Sequence, residues 1–222
     1  MTAARQAVAE ALGTGLLVAA VVGSGIMGQR LAQGNDAIAL LATTVATGAA
    51  LVALILTFAP LSGAHFNPVV TGHAVMTGAL PARHGLVFVA AQIAGGIVGA
   101  LLANAMFDLA VVSFSARARH GGAQLLSEAV ATFGLVAVIA STSRHRPALT
   151  PFAVACYIAA AYWFTASTSF ANPAVTIARV FSDTFAGIRG ADVAGFVVAQ
   201  VVGGAAAMAL FAWLLGPPSA PP

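Results

Sequence analysis

Two stretches of this chain, 37–82 and 147–178, contain no Asp, Glu, Lys or Arg, and an Asn-Pro dipeptide interrupts each of them. An α-helix rises ~1.5 Å per residue, so ~20 apolar residues cross a hydrocarbon core of ~30 Å. Both stretches are longer than one such span. Each can hold a full span, at 38–59 and 149–166, followed by a short apolar segment that begins at the dipeptide. Because the short segments reach across only half a bilayer, they are predicted to be re-entrant half-helices.

The dipeptides lie within Asn67-Pro68-Val69 and Asn172-Pro173-Ala174, which we expect to start the two half-helices. Asn is among the best helix N-caps, and Pro is favoured at the first helical position because its missing N–H removes no helical hydrogen bond. The half-helices should end near Gly78 and near Thr184. An ordinary turn is the alternative for one Asn-Pro dipeptide. Two of them, each following a full span, favour two helix starts and therefore the centre of a pore.

Composition places the chain in a membrane and excludes several other functions. Hydrophobic residues make up 60% of its 222 residues, charged residues 7%, and the mean hydropathy is +0.96, which is far from the composition of soluble domains. Nine arginines, no lysine and six acids give a net charge of +3 without a basic patch, so nucleic acid is not an expected partner.

Cys156 is the only cysteine, and we interpret it as a small packing residue. No metal-ligand spacing and no nucleophile with a base is found in the sequence, so neither an enzyme nor a cofactor or metal site is predicted. The segment 11–29 is expected to be a retained helix, not a removed signal peptide.

The chain also repeats itself within a single domain, 1–222. Glu, then Asn-Pro, then Gln-x-x-Gly-Gly occur twice in that order, in repeats at about 5–107 and 123–215. Each repeat holds three spans, an odd number, so the second repeat should be inverted relative to the first. The positive N-terminal ends of the half-helices would then meet near the midplane and repel cations. Since backbone N–H groups engage each Asn cap oxygen, the side-chain amides should be free to donate to a solute. Small neutral hydroxylated solutes are the expected cargo.

These motifs resemble the aquaporin, or major intrinsic protein, family over nearly the whole chain. The resemblance is carried by Ser62-Gly63-Ala64-His65-Phe66-Asn67-Pro68-Val69-Val70-Thr71, by Asn172-Pro173-Ala174-Val175, and by the pairs Glu10/Glu128 and Gln92/Gln200. It implies an all-α membrane protein with six transmembrane helices and two re-entrant half-helices in an inverted repeat. It also implies a multi-pass homotetramer in membrane lipid with cytoplasmic termini. The arginines outside the half-helices divide equally between the two sides, so this orientation rests on the resemblance. The cell inner membrane is the expected location.

Glu10 and Glu128 lie at matching positions of the two repeats, inside predicted spans. A carboxylate within a span is costly and is usually paired. The resemblance implies that both accept hydrogen bonds from the backbone that leads into each half-helix. The alternative is an ion-coupling site, which would make the protein a secondary transporter. His65 is interpreted as a brace of its loop beside the pore.

Departures from the family pattern bear on the choice of solute. Most aquaporins have an arginine directly after the second motif, where this chain has Val175. Counting back without gaps places the other three positions of the selectivity filter at Thr47, Ala160 and Ser169. That filter would be wider than a water channel's, uncharged and poor in donors. If the Ala160 alignment is shifted, Tyr162 or Trp163 takes its place, although both are also typical of an interfacial aromatic belt.

Arg179 follows Val175 by four residues and therefore shares its helix face. It could line the pore vestibule, reach the membrane interface, or pair with Asp183. Residues 169–179 are similar to a branch of bacterial aquaglyceroporin-like channels associated with arsenic detoxification. That similarity implies passage of undissociated arsenite, methylated arsenicals, glycerol and water. A water-selective aquaporin and an ion-coupled transporter remain the alternative functions.

Overall fold

The computed structural model describes residues 1–216, and these form eight α-helices joined by short loops. Six helical segments are long and apolar enough to cross a membrane, and two of these segments include an adjoining 3₁₀ turn. The helices are α1 (Ala3–Leu31), α2 (Asp36–Ser62), α3 (Pro68–Met76), α4 (Ala82–Met106), α5 (Gly122–His145), α6 (Thr150–Phe164), α7 (Pro173–Ala178) and α8 (Val193–Leu215). The predicted all-α fold with six spans and two half-helices is confirmed. The predicted domain 1–222 extends beyond the described residues.

The half-helices are shorter than the sequence predicts. Helix α3 ends at Met76, and α7 stops at Ala178, where a 3₁₀ turn continues to Phe181. Helix α2, by contrast, runs through Pro60 to Ser62. A proline so close to the helix end removes only one of the last hydrogen bonds. The helix ends at Gly63, whose positive φ of 93° suits glycine and whose N–H donates to the carbonyl of Ala59.

Six crossings place the two ends of the described chain on the same side. We call this side the termini face; it carries residue 1, the 77–81 and 145–149 connections, and Gly216. The opposite side, the loop face, carries residues 32–35, 107–121 and 179–192. Its segments are tied together: the Arg30 Nη2 group donates to the Phe107 carbonyl at 2.8 Å, and the Arg189 N–H donates to the Arg117 carbonyl at 2.8 Å.

Close helix packing recurs at equivalent positions of the chain. A methyl group on Gly95 of α4 would overlap the carbonyl oxygen of Ala11 in α1, and one on Gly203 of α8 would overlap that of Ala129 in α5. The backbones of these helix pairs are therefore in direct contact, which small residues such as glycine permit. This packing leaves room for α3 and α7 between the spans.

Candidate functional site

The two half-helices start at their asparagines, in the centre of the protein. The Asn67 side-chain oxygen accepts a hydrogen bond from the N–H of Val69 at 2.9 Å, and that of Asn172 accepts from the N–H of Ala174 at 3.0 Å. Pro68 and Pro173 are the first helical residues. Each half-helix thus begins by the N-cap chemistry expected of Asn-Pro.

The side-chain amides of these asparagines are not as free as the sequence suggested. Asn67 Nδ2 donates to the carbonyl of Ala171 at 2.7 Å, and Asn172 Nδ2 donates to that of Phe66 at 2.8 Å. Each amide therefore ties the start of one half-helix to the loop that precedes the other. Since an amide nitrogen carries two hydrogens, one N–H of each asparagine is left for a solute.

Glu10 and Glu128 are fully buried behind the two loops. Glu10 accepts the N–H groups of His65 at 3.0 Å and Phe66 at 2.7 Å. Glu128 accepts those of Phe170 at 2.9 Å and Ala171 at 2.8 Å.

A glutamine holds each of these glutamates. The side-chain amide of Gln92 donates to Glu10 and to the Thr71 hydroxyl. In the same way, the amide of Gln200 donates to Glu128 and to the Thr176 hydroxyl. Each carboxylate thus fixes one loop backbone.

These hydrogen bonds also determine where the loop carbonyls point. In a trans peptide the N–H and the preceding C=O are antiparallel. Because the N–H groups of 65, 66, 170 and 171 point to the carboxylates, the carbonyls of 64, 65, 169 and 170 point away from them. All four residues line the central cavity. Ala64, Phe66, Thr168, Ser169 and Ala171 have positive φ values of 47° to 62°, a backbone conformation that costs non-glycine residues ~1–2 kcal/mol each. The glutamates compensate for this strain and hold a row of acceptors towards the cavity.

The central cavity has a volume of about 300 Å³ and passes both asparagines. One side is apolar and includes Leu51, Leu135 and Ile158, while the loops supply the polar side. It extends from Thr77 and Ser143 on the termini face to Arg179 on the loop face. No Asp or Glu side chain lines it within residues 1–216. Such a passage suits solutes that have both hydrocarbon and hydroxyl groups.

Three of the four predicted filter residues, Thr47, Ser169 and Val175, line the cavity, and all three are buried. Ala160 does not: it is exposed on the outside of α6. Tyr162 lines the cavity instead, with its hydroxyl 3.3 Å from the Thr47 hydroxyl. Two residues along a helix correspond to ~200° of rotation. An alignment that is shifted by two residues therefore assigns the position to the opposite face of the helix. The assignment of Ala160 was wrong for this reason, and Tyr162 is not part of an aromatic belt.

Trp163, the other aromatic candidate, points outward. Its side chain is about half exposed, and its Nε1 donates to the Thr44 hydroxyl at 3.1 Å. It is therefore the residue of this pair whose position fits an aromatic belt.

Arg179 also lines the cavity and is only 3% exposed. Its guanidinium lies 3.3 Å from the ring centroid of Phe170, and its Nε donates to the carbonyl of Ala186. It neither reaches outward nor pairs with Asp183, whose carboxylate accepts the N–H of Ala116 at 3.0 Å. The expectation of a donor-poor passage is therefore wrong, because the Tyr162 phenol and the Arg179 guanidinium border the same space.

The remaining predicted residues have supporting positions. His65 lines the cavity with its Nδ1 3.2 Å from the Thr71 hydroxyl, and its ring contacts Phe88. Val69 and Ala174 are buried at the half-helix starts and do not line the cavity. Within the part of the chain that the structure describes, no group of three His, Cys, Asp or Glu residues could hold a metal ion.

Sequence reasoning missed Arg119, a buried residue of the 107–121 loop. Its side chain donates to the carbonyls of Ser167, Phe185 and Gly187, and its guanidinium lies 4.9 Å from the Phe170 ring centroid. Burial lowers the pKa of Arg119 to about 10, so it stays protonated at neutral pH. The sequence carries no signal for this role, since the partners are backbone carbonyls of distant segments. Arg119 connects the loop face to the loop that precedes α7.

Comparisons with known proteins agree with this geometry. The family described as major intrinsic protein matches residues 1–160. Aquaglyceroporin AqpS of Rhizobium meliloti (strain 1021) is 56% identical over 213 residues, which are 96% of this chain and 91% of that protein. Aquaporin TIP1-2 of Zea mays is 35% identical over 63% of this chain and 57% of its own. The crystal structure of the aquaglyceroporin from Plasmodium falciparum superposes with a TM-score of 0.73 at 16% identity, covering 96% of this chain and 97% of its own, which shows the shared fold.

Proteins of this family are passive channels and not enzymes, and the central cavity is the passage that such a channel needs. The buried glutamates are used to hold backbone N–H groups and do not line that cavity. By its sequence match, its fold and its paired asparagine caps, this chain belongs to the major intrinsic protein family.

Proposed function

We propose that this channel conducts small neutral hydroxylated solutes of about the size of glycerol, together with water. The solutes pass the asparagine caps and then a filter formed by Thr47, Tyr162, Ser169 and Val175. The observation that carries this proposal is the two-sided lining of the cavity, apolar on one side and a row of carbonyls on the other. A polyol can place its carbon chain against the first and its hydroxyls against the second.

Val175 supports a solute larger than water at the filter. It is 5% exposed and offers only methyl groups to the cavity, so it narrows the passage less than a longer side chain would. The R. meliloti relative carries the name aquaglyceroporin, which agrees with a polyol as cargo. Selectivity for water alone is the less favoured function because the apolar side of the cavity offers water no hydrogen bonds.

Undissociated arsenite and methylated arsenicals belong to the proposed cargo. The proposal rests on the similarity of residues 169–179 to channels associated with arsenic detoxification. The trihydroxylated form of arsenite is neutral and close to glycerol in size, so it meets the same requirements.

Stopped-flow swelling of proteoliposomes tests the proposed function. We expect glycerol and undissociated arsenite to swell the vesicles at rates that follow their gradients, with and without an imposed proton gradient. Glu10→Gln and Glu128→Gln should lower the yield of folded protein, and the swelling rates of the folded variants should still not depend on the proton gradient. A wild-type protein that passes only water, or one that concentrates a solute when protons flow, would overturn the proposal.

The channel is further proposed to be a homotetramer in the cell inner membrane, with its termini in the cytoplasm. Many large apolar side chains are exposed on the spanning helices, and these need lipid or other subunits as neighbours. Native mass spectrometry of the detergent-solubilised protein measures the subunit number directly, and a monomer would contradict the assembly.

A further inference from the structure

Arg179 brings a buried positive charge to the cavity one helical turn beyond Val175. We propose that Arg179 is the specificity-determining residue of the loop-face half of the pore. Its guanidinium donates hydrogen bonds to solute oxygens and repels cations, although position 175 is a valine. This inference rests on the proposed function, since it names the group that selects among the solutes of the same pore.

The side chain is fixed in one position by two contacts. Its Nε donates to the Ala186 carbonyl, and the guanidinium stacks on the Phe170 ring at 3.3 Å from the centroid. An arginine has five N–H donors, and the Nε–H is one of them. The four N–H groups of the two terminal nitrogens make no hydrogen bond to any residue of 1–216. Donors of this kind, held rigidly beside a cavity, are what a solute-binding site requires.

The charge of Arg179 has no counter-ion in the described part of the protein. Asp183, the nearest candidate in sequence, is hydrogen bonded to Ala116. Both oxygens of Glu128 already accept backbone N–H groups. Another cation, Arg119, stacks on the same Phe170 ring from 4.9 Å. A buried, unpaired cation is costly, so the guanidinium must be solvated by whatever fills the cavity.

Acceptors stand beside these donors. The carbonyl of Ser169 points away from Glu128, and the buried Ser169 hydroxyl has no hydrogen-bond partner among residues 1–216. A solute that carries several hydroxyl groups can accept from Arg179 through one oxygen and donate to Ser169 through another. The class of ligand is therefore a neutral polyhydroxylated molecule. Cations are excluded because the Arg179 guanidinium borders this end of the pore and a second cation, Arg119, lies against the same phenylalanine ring.

The proposal is tested with Arg179→Gln and Arg179→Lys in proteoliposomes, measuring fluxes of glycerol, methylammonium and protons through each variant. Arg179→Gln should raise the ratio of methylammonium to glycerol permeability about tenfold, the size of effect expected for losing one charged interaction at a barrier. Arg179→Lys should keep cations out. Arg117→Leu is the matched control. Arg117 also stacks on a phenylalanine, Phe185, but it is exposed and does not line the cavity. The ratio of methylammonium to glycerol permeability of this variant should equal that of the wild type.

The double variant Val175→Arg with Arg179→Gln separates a role in selection from a role in folding. If Arg179 acts by its charge in the pore, an arginine at 175 should restore cation exclusion. A folded Arg179→Gln channel with the wild-type ratio overturns the inference. A wild-type channel that passes methylammonium as readily as glycerol also overturns it. This measurement on the wild type remains possible if the variants do not fold. Absence of any glycerol flux through the wild type would instead overturn the proposed function.

Discussion

The side chain of Tyr162 borders the cavity beside Thr47. It is 5% exposed, and its hydroxyl lies 3.3 Å from the Thr47 hydroxyl. Replacing it by alanine removes the aromatic ring from the lining. We expect Tyr162→Ala to raise the permeability to erythritol relative to water by about tenfold, since a barrier lower by ~1.4 kcal/mol corresponds to that factor. Stopped-flow swelling of proteoliposomes measures both rates.

Ala160 provides the control for this experiment. It lies on the same helix but is exposed on its outer face, so Ala160→Leu should leave the permeability ratio unchanged. A change caused by Ala160→Leu, together with none from Tyr162→Ala, would return the filter position to residue 160. Because the loss of a buried ring costs ~3–5 kcal/mol of stability in typical cores, fluxes should be normalised to the amount of folded channel.

The residues of the pore differ in how well the sequence predicts them. Asn67 and Asn172 could be predicted because capping depends on the residue and its immediate neighbours. The inward direction of Tyr162 could not, since α7 and α6 are separated by a loop with three residues at positive φ, and no sequence periodicity crosses such a loop. Arg179 points inward because of Phe170 and Ala186, which lie on other segments.

Among the elements, the pairs α1–α4 and α5–α8 hold the half-helices in place. In α4, Gly95 contacts the backbone of α1, and in α8, Gly204 faces Val69 of α3. Small residues such as these glycines are typical of close helix packing in membranes. The sequence does not predict that α8, from the second half of the chain, supports α3 from the first half, because that contact depends on how the two halves interlock.

A methyl group at Gly95 should therefore loosen the α1–α4 pair. It would overlap the carbonyl of Ala11, which belongs to a helix backbone and cannot move aside as a side chain can. We expect Gly95→Ala to reduce the free energy of unfolding by ~1–3 kcal/mol, as for overpacked cores. Gly72→Ala is the matched control, because nothing lies within 4 Å of the added methyl and alanine favours a helix over glycine by up to ~1 kcal/mol. Thermal unfolding in detergent compares the two variants, and a Gly95→Ala protein as stable as Gly72→Ala would contradict direct backbone packing.

At the scale of the whole molecule, the two faces differ in charge. Four arginines lie on each face outside the pore, a tie for the rule that places positive residues in the cytoplasm. The loop face also carries Asp36, Asp108, Asp183 and Asp192, whereas neither Asp nor Glu occurs in the described connections of the termini face. Because that rule counts Arg and Lys and acidic residues contribute little to it, this difference leaves the tie in place, and the proposed cytoplasmic orientation rests on the family resemblance.

Cysteine labelling in intact cells tests this topology. Cys156, the only cysteine, is exposed on α6 and is first replaced by serine. Single cysteines are then introduced as Arg5→Cys and Arg146→Cys on the termini face, and as Arg117→Cys and His120→Cys on the loop face; all four positions are exposed. Four spans separate residue 5 from residue 146, so these two lie on the same side, whereas the 107–121 loop follows three spans and lies on the other side. A membrane-impermeant maleimide applied from outside should therefore label cysteines at 117 and 120 but not those at 5 and 146. The reverse pattern would invert the proposed orientation while keeping the fold. Labelling of positions from both faces in the same intact cells would contradict the six-span topology itself.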